Sequence, residues 1–166
     1  MYKLGIIGYP LGHSISAVIQ KAGLESIGDT CTYDILETPP EELIPRIKYL
    51  KTNGYNGFNV TIPLKVPMSL FLDDIDDYAN IAGCVNTVKI TDDKSFIGYN
   101  TDIYGFKRAI PESIDLKGKN ASILGTGGAA RAAVVGLAEL GIKSIDFYSR
   151  NIIRRYFYRC ILSKYF

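Results

Sequence analysis

Hydrophobic runs alternate with helix-like segments along the first part of the chain. Apolar runs at residues 2–9, 32–37 and 57–62 predict buried strands, because they are short and rich in residues that favour strands. Between them, residues 15–27 and 38–51 carry apolar positions at helical spacing. The order strand–helix–strand–helix–strand is typical of a parallel sheet covered by helices.

The pattern changes after residue 82, where a region predicted to form one or two short helices ends. Two short apolar runs, at residues 84–91 and 95–99, flank a polar Asp-Asp-Lys turn and predict a hairpin. A short helix is expected at residues 102–109, and a polar, turn-rich linker follows at 111–119. We therefore expect a first domain to end at residue 110.

A second β-α-β pattern follows the linker. Residues 120–124 predict a strand, a glycine-rich turn leads into a helix that ends near residue 140, and residues 144–149 predict a further strand. The turn reads Gly125, Thr126, Gly127, Gly128, Ala129, Ala130. This matches G-x-G-x-x-A, in which glycines allow a tight turn and let the backbone approach a pyrophosphate at the helix start. A plain turn is the alternative, but the position between strand and helix favours a dinucleotide site.

These patterns together predict an α/β fold with two parts. Residues 1–110 form an N-terminal α/β substrate domain with a mainly parallel sheet, and residues 111–166 hold the first β-α-β part of an incomplete Rossmann dinucleotide-binding domain. Within the second part, residues 150–166 form an atypical tail with four arginines, one lysine, five aromatic residues and no acidic residue.

Composition and charge exclude several classes of protein. A net charge of +2 gives no reason to expect a nucleic-acid partner, and no apolar run approaches the roughly 20 residues that span a bilayer. Cys31, Cys84 and Cys160 are widely spaced, and the chain has one histidine, so neither a disulfide framework nor a metal site is expected. With no signal-peptide pattern at the N-terminus, we expect a cytoplasmic protein.

The residues at the end of the last predicted strand bear on cofactor choice. NAD-binding domains carry an acidic residue about 20 positions after the glycines, on the ribose hydroxyl. Here that position reads Tyr148, Ser149, Arg150, and Arg154 follows. Arginine suits a 2′-phosphate, which favours NADP, unless these arginines are ordinary solvated residues.

A lysine and an aspartate are candidates for acid–base chemistry. Lys65 lies between two prolines in the segment NVTIPLKVP, just past a predicted strand, and Asp102 begins a predicted helix in GYNTD. Oxidation of an alcohol requires a group that accepts the hydroxyl proton, and a positioned lysine can serve. Taken alone, Lys65 also fits a surface lysine and Asp102 a helix cap.

Small polar side chains cluster where predicted strands end. Ser14 and Ser16 follow the first strand, Asn59 and Thr61 alternate along the third, and Asn86 begins the hairpin. Ligands bind at the carboxyl ends of parallel strands, and hydroxyls and amides suit a polyhydroxylated ligand. Local turn capping is the alternative for each serine.

Five segments together resemble the NADP-dependent shikimate dehydrogenases of aromatic amino-acid biosynthesis. They are GYPLGHSIS, NVTIPLK, AGCVNT, GYNTD and GTGGAA, in this order and at suitable spacing. The resemblance implies that Ser14 and Ser16 bind the substrate carboxylate, and that Lys65 and Asp102 form the catalytic pair with Lys65 as proton acceptor. Residues that hold the ring hydroxyls or shape their pocket are Asn59, Thr61 and Asn86.

The resemblance also implies a cofactor site. The turn from Gly125 to Ala130 would bind the pyrophosphate, and Ser149, Arg150 and Arg154 would bind the 2′-phosphate, with Asp77 near the cofactor. The implied activity is reversible NADPH-dependent reduction of 3-dehydroshikimate to shikimate. A quinate/shikimate dehydrogenase, a fragment that only binds shikimate and a folding remnant without a ligand stay open as alternatives.

The resemblance stops at about Arg150, whereas members of the family continue well beyond this point. We therefore expect a truncated or frameshifted gene product. A two-strand sheet leaves an open edge and an uncovered face, so a homodimer formed through that face is a further expectation.

Overall fold

The computed structural model describes residues 1–150 and divides the chain into two compact units. The first unit comprises Met1–Ile75 and Val85–Tyr99, and the second comprises, within the described residues, Asp76–Cys84 and residues 100–150. The tail from residue 151, including Arg154, lies outside the described residues. The division into domains 1–110 and 111–166 stays a prediction.

The first unit is a six-stranded sheet with two helices. Its elements are β1 (Tyr2–Gly8), α1 (Ser16–Glu25), β2 (Cys31–Glu37), α2 (Leu43–Thr52), β3 (Gly57–Val60), β4 (Asp74–Ile75), β5 (Thr87–Ile90) and β6 (Phe96–Tyr99). The strand order is β2-β1-β3-β5-β6-β4. β1 runs parallel to β2 and β3, and β4 parallel to β6, while β5 is antiparallel to β3 and β6. The mainly parallel sheet and the hairpin are confirmed.

Central strands provide the core of this unit. Ile7 of β1, Val60 of β3 and Val88 of β5 are buried, as are Leu64 and Met68 beyond β3. Burial of these apolar side chains stabilises the sheet and fixes the register of adjacent strands. The register in turn determines which residues lie at the carboxyl end of each strand.

The structure differs from the sequence prediction at two helix positions. The predicted helix 38–51 is divided into a 3-10 turn at Pro40–Glu42 and helix α2 from Leu43. This start places Pro45 in the first turn, where a missing N–H costs nothing because no partner exists for it. After β3, a 3-10 turn at Pro67–Phe71 precedes β4. With only two residues, β4 is too short to produce a recognisable hydrophobic pattern.

The second unit contains a β-α-β motif and two further helices. Its elements are α3 (Asp77–Ala82), α4 (Thr101–Ala109), β7 (Asn120–Leu124), α5 (Gly128–Glu139) and β8 (Ser144–Tyr148). β7 and β8 are parallel, as a crossover through α5 requires, so the predicted β-α-β unit is confirmed. The core of this unit consists of Ala82, Cys84, Ile103, Ala132, Val134 and Val135. Over the described residues, no helix has the length and apolar character needed to cross a membrane.

Candidate active site

The loop after β1 builds a cleft at the carboxyl ends of the parallel strands. The cleft has a volume of about 540 Å³, and Ser14, Ser16, Thr61 and Glu37 are among its lining residues. Leu11 N donates to Glu37 Oε1 at 2.7 Å, which ties the loop to the end of β2. The structure therefore brings three of the predicted substrate residues to one cleft in the position where ligands of parallel sheets bind.

Ser14 also has a local structural role. Its Oγ accepts from Ser16 N at 3.4 Å, and its own N donates to Leu11 O at 2.9 Å. Ser14 therefore has the local turn role that was its alternative interpretation. The turn places Ser14 and Ser16 at the start of α1. A hydroxyl that accepts one backbone hydrogen bond keeps its proton for a ligand.

Asn59 lies on β3, Asn86 directly precedes the neighbouring strand β5, and Asn59 Nδ2 donates to the Asn86 backbone oxygen at 3.4 Å. Asn59 Nδ2 donates to Thr87 Oγ1 at 3.2 Å, and Asn59 Oδ1 accepts from the Tyr33 hydroxyl at 2.7 Å. Asn59 lines a second cleft of about 710 Å³, on the face of the sheet, and not the cleft that holds Ser14. Thr61 lies beyond the end of β3, which explains why these two residues line different clefts.

Lys65 is half-buried and its backbone is fixed from two directions. Leu64, the residue before Lys65, is held in place by its buried side chain, and Leu64 N donates to Thr61 O at 2.8 Å. Lys65 O accepts from Val85 N at 2.9 Å. This hydrogen bond places the backbone of Lys65 against the segment that carries Asn86, so the two predicted residues share one part of the first unit.

Asp102 occupies the first turn of α4 in the second unit. The N-cap is Asn100, whose Oδ1 accepts from Asp102 N at 3.1 Å, so the cap alternative for Asp102 is wrong. Asn100 Nδ2 in turn donates to Cys84 O at 3.0 Å. Because Asp102 and Lys65 belong to different units, their catalytic pairing stays a prediction.

Asp77 opens α3 and is exposed. The N-cap of this helix is Asp76, whose carboxylate accepts from Ala79 N at 2.8 Å. An acidic residue in a first turn is favourable on electrostatic grounds alone, so its position gives Asp77 a local role besides the predicted one. Its place near the cofactor stays a prediction.

The glycine-rich turn joins β7 to α5 in the predicted position. Gly125 has φ +110°, a conformation that favours glycine, and its N donates to Tyr148 O at 2.8 Å. Thr126 and Ser149 are joined by a hydrogen bond of 3.0 Å between their hydroxyls. The structure thus brings predicted pyrophosphate and 2′-phosphate residues together where the two strands end, next to the exposed Arg150.

Sequence reasoning did not find three supporting residues of these sites. Tyr33 holds Asn59, Asn100 caps the helix of Asp102, and Arg131 Nη1 donates to Gly83 O at 2.9 Å at the end of α3. Only Asn100 carried a sequence signal, because asparagine is a preferred N-cap residue. Within residues 1–150 no cluster of three or more histidine, cysteine or acidic residues is arranged to hold a metal ion.

Several known proteins are similar to this chain in sequence and in fold. Shikimate dehydrogenase (NADP(+)) from Geobacter metallireducens is 42% identical over 153 residues, which are 91% of this chain and 53% of the relative. A crystal structure of a shikimate dehydrogenase in complex with NADP+ superposes with a TM-score of 0.86 at 38% identity, covering 99% of this chain and 57% of that one. Shikimate 5-dehydrogenase from Thermus thermophilus, in complex with NADP(H) and shikimate, gives 0.85 at 33% identity, with coverages of 97% and 61%.

The chain spans about half the length of the curated relatives that it matches. The family model for the shikimate dehydrogenase substrate binding domain matches residues 6–88, which is half of the 166 residues. This stretch contains the serine loop, β3 with Lys65 after it, and Asn86. On that match, the protein belongs to the shikimate dehydrogenase family.

Proposed function

We propose that this chain serves NADP-dependent shikimate dehydrogenation, the reversible interconversion of 3-dehydroshikimate and shikimate. The observation that carries the proposal is the cleft at the ends of β1, β2 and β3, which the hydroxyl-bearing residues Ser14, Ser16 and Thr61 line together. A relative solved with NADP(H) and shikimate, at a TM-score of 0.85, supports the choice of ligand.

Different residues of this chain contact different groups of the substrate in this proposal. Ser14 and Ser16 donate hydrogen bonds to its carboxylate, while Thr61 and Asn86 orient its ring hydroxyls. Lys65 accepts the proton of the reacting hydroxyl during oxidation and returns it to the ketone oxygen during reduction. Asp102, in this proposal, pairs with Lys65 and fixes the position of its amino group.

The glycine-rich turn fits a dinucleotide. A side chain added at Gly125 or Gly127 would meet no atom of residues 1–150 within 4 Å, so these residues leave the space over the turn open. The backbone N–H groups at the start of this 12-residue helix suit a pyrophosphate. When bound, NADP supplies the hydride chemistry, and the chain contributes Thr126, Ser149 and Arg150 at the end of the adenosine.

We expect Arg150→Asp to weaken NADP binding far more than NAD binding. The charge-assisted hydrogen bonds between a guanidinium and a phosphate contribute strongly to the binding free energy. Losing them and placing a negative charge there should lower NADP affinity roughly tenfold to a hundredfold. NAD lacks the 2′-phosphate, so its affinity should change by less than about threefold. Isothermal titration with each cofactor measures both values.

Arg108→Asp provides the matched control for this charge reversal. Arg108 lies at the end of α4 and stacks over Tyr104. It belongs to a different helix from the one that the glycine-rich turn precedes. It should leave the NADP-to-NAD ratio unchanged. Equal weakening of both cofactors by Arg150→Asp would contradict the assignment of Arg150 to the 2′-phosphate.

A coupled assay tests the proposed function. Reduction of NADP is followed with shikimate, and with quinate in parallel, while calorimetry measures the binding of shikimate and NADP separately. Turnover with shikimate supports the proposal. Absence of both turnover and heat with shikimate would refute it for this chain.

Two expectations about the setting of the protein belong to the same proposal. We place it in the cytoplasm, where the thiols of Cys31 and Cys84 would persist in reduced form. A homodimer, formed through the face of the β7–β8 sheet, is a prediction that sedimentation equilibrium would test.

A further inference from the structure

A series of hydrogen bonds crosses the first unit from β2 to the start of β5. The Tyr33 hydroxyl donates to Asn59 Oδ1 at 2.7 Å. Asn59 Nδ2 donates to Thr87 Oγ1 at 3.2 Å, and the Thr87 hydroxyl donates to Asn86 Oδ1 at 3.0 Å. The series therefore ends on a side chain that the proposed function assigns to the substrate.

A backbone carbonyl fixes the direction of this series. Asn59 Nδ2 also lies 3.4 Å from the backbone oxygen of Asn86, and a carbonyl oxygen can only accept. Turning the Asn59 amide by half a turn would bring Asn59 Oδ1 against the Asn86 backbone oxygen, where neither atom can donate, and would lose that hydrogen bond. Asn59 Oδ1 must therefore face Tyr33, and Tyr33 must be the donor.

The direction decides what Asn86 presents. Thr87 Oγ1 accepts from Asn59, so its single proton is directed to Asn86 Oδ1. The oxygen of Asn86 is thereby held on the Thr87 side, and the amino group points away from Thr87. The Asn86 backbone is also fixed, because its N donates to Tyr99 O at 3.0 Å and its O accepts from Val60 N at 2.8 Å. Asn86 thus has both its position and its amide orientation determined.

Tyr33 is well placed to act as the donor at the start of the series. It is only 6% exposed and packs in a cluster with Ile6 and Leu11. Burial raises the pKa of the Tyr33 hydroxyl above its ordinary value, and the Ser16 hydroxyl acts in the opposite direction. The hydroxyl therefore keeps its proton, and hence its donor role, throughout the neutral pH range.

We propose that Tyr33, Asn59 and Thr87 are positioning residues that orient the Asn86 amide as a hydrogen-bond donor toward the substrate. The inference rests on the proposed function, because Asn86 is there a ligand of shikimate. It gives Asn59 a different role from the ring-hydroxyl contact that the sequence indicates. It also adds Tyr33, which none of the five quoted segments contains, and Thr87, the last residue of AGCVNT, for which the sequence indicated no role.

Substitutions at Thr87 separate the hydroxyl from the shape of the side chain. Thr87→Val removes only the hydroxyl, and Thr87→Ser keeps it while removing a methyl group. Calorimetry at 25 °C should show that Thr87→Val weakens shikimate binding roughly tenfold, since the Asn86 oxygen then loses the hydrogen bond from the Thr87 hydroxyl that orients its amide. Thr87→Ser should stay within about threefold of the unchanged chain. Equal affinities of the two variants would overturn the inference.

A spectroscopic measurement gives a readout that does not depend on the ligand. The side-chain amide signals of Asn86 are identified by their loss in Asn86→Asp. Tyr33→Phe and Thr87→Val should both shift these signals, whereas Tyr104→Phe, on the exposed side of α4, should not. If the unchanged chain binds no shikimate, the proposed function fails, and the Asn86 signals decide the inference alone. Signals that stay in place in both Tyr33→Phe and Thr87→Val would overturn it.

Discussion

Lys65→Ala is expected to abolish turnover, lowering the rate of NADP reduction with shikimate by a factor of about 10²–10⁴, because no other group replaces a positioned proton acceptor. The backbone around Lys65 is held by Leu64 and by the hydrogen bond from Val85, neither of which needs the Lys65 side chain. The free energy of unfolding should therefore change by no more than about 0.5 kcal/mol. Rates and urea denaturation measure the two quantities.

Lys48→Ala is the matched control for the loss of a lysine. Lys48 is an exposed residue of α2, so its removal should change neither the rate nor the stability appreciably. Lys65→Met, which keeps the aliphatic stem, should be as inactive as Lys65→Ala. A large loss of folding stability in both Lys65 variants would instead make Lys65 a structural residue.

The pairing of Lys65 with Asp102 has its own test. If the two groups act as a unit, Asp102→Asn should lower the rate strongly, and the double variant Lys65→Met/Asp102→Asn should lose little beyond the worse single variant. Independent groups would give losses that multiply. Rates of the four proteins, measured under saturating substrate, distinguish the two outcomes.

Gly8→Ala should produce the largest loss of stability among the glycine substitutions near the substrate cleft. An added Cβ would overlap Thr61 Cγ2 and lie 2.8 Å from the backbone oxygen of Ile62, which already accepts from Tyr9 N at 2.8 Å. A backbone atom cannot move aside cheaply, so we expect a cost of about 3 kcal/mol in the free energy of unfolding. Displacement of Thr61 should also weaken shikimate binding in the molecules that remain folded.

Gly23→Ala is the control for this substitution, and its effect should have the opposite sign. Gly23 lies within α1, and an added Cβ would meet no atom of the described part of the chain within 4 Å. Alanine at an exposed helix position is expected to stabilise by roughly 0.5–1 kcal/mol. Urea denaturation of both variants gives the comparison. A neutral Gly8→Ala would show that the end of β1 can relax away from Thr61.

The sequence predicted the elements that local patterns determine. The strands around α1 and α2 and the hairpin follow from hydrophobic periodicity, and the β-α-β unit follows from one strand, a glycine turn and a helix. These features need no knowledge of which distant segments pair. The positions of Ser14, Ser16 and Thr61 at a common cleft follow from the same rule for parallel strands.

Features that depend on strand register were beyond the sequence. Tyr33 meets Asn59 across β1, and Asn59 meets Thr87 only because β3 and β5 pair at those positions. A shift of one residue would turn each side chain to the other face. The two-residue strand β4 was missed for a related reason, since its pairing with β6, rather than its composition, makes it a strand.

The two compact units are interleaved in the chain, since Asp76–Cys84 of the second unit lies between two segments of the first. This segment carries α3, and Arg131 of α5 donates hydrogen bonds to the carbonyl groups at its end. A chimaeric dehydrogenase that joins the front of this protein to the back of another at a single crossover in the segment 111–119 would therefore separate α3 from Arg131. Recombination that exchanges the second unit alone and preserves this contact has to transplant residues 76–84 together with the chain from Asn100 onwards, as two inserts rather than one.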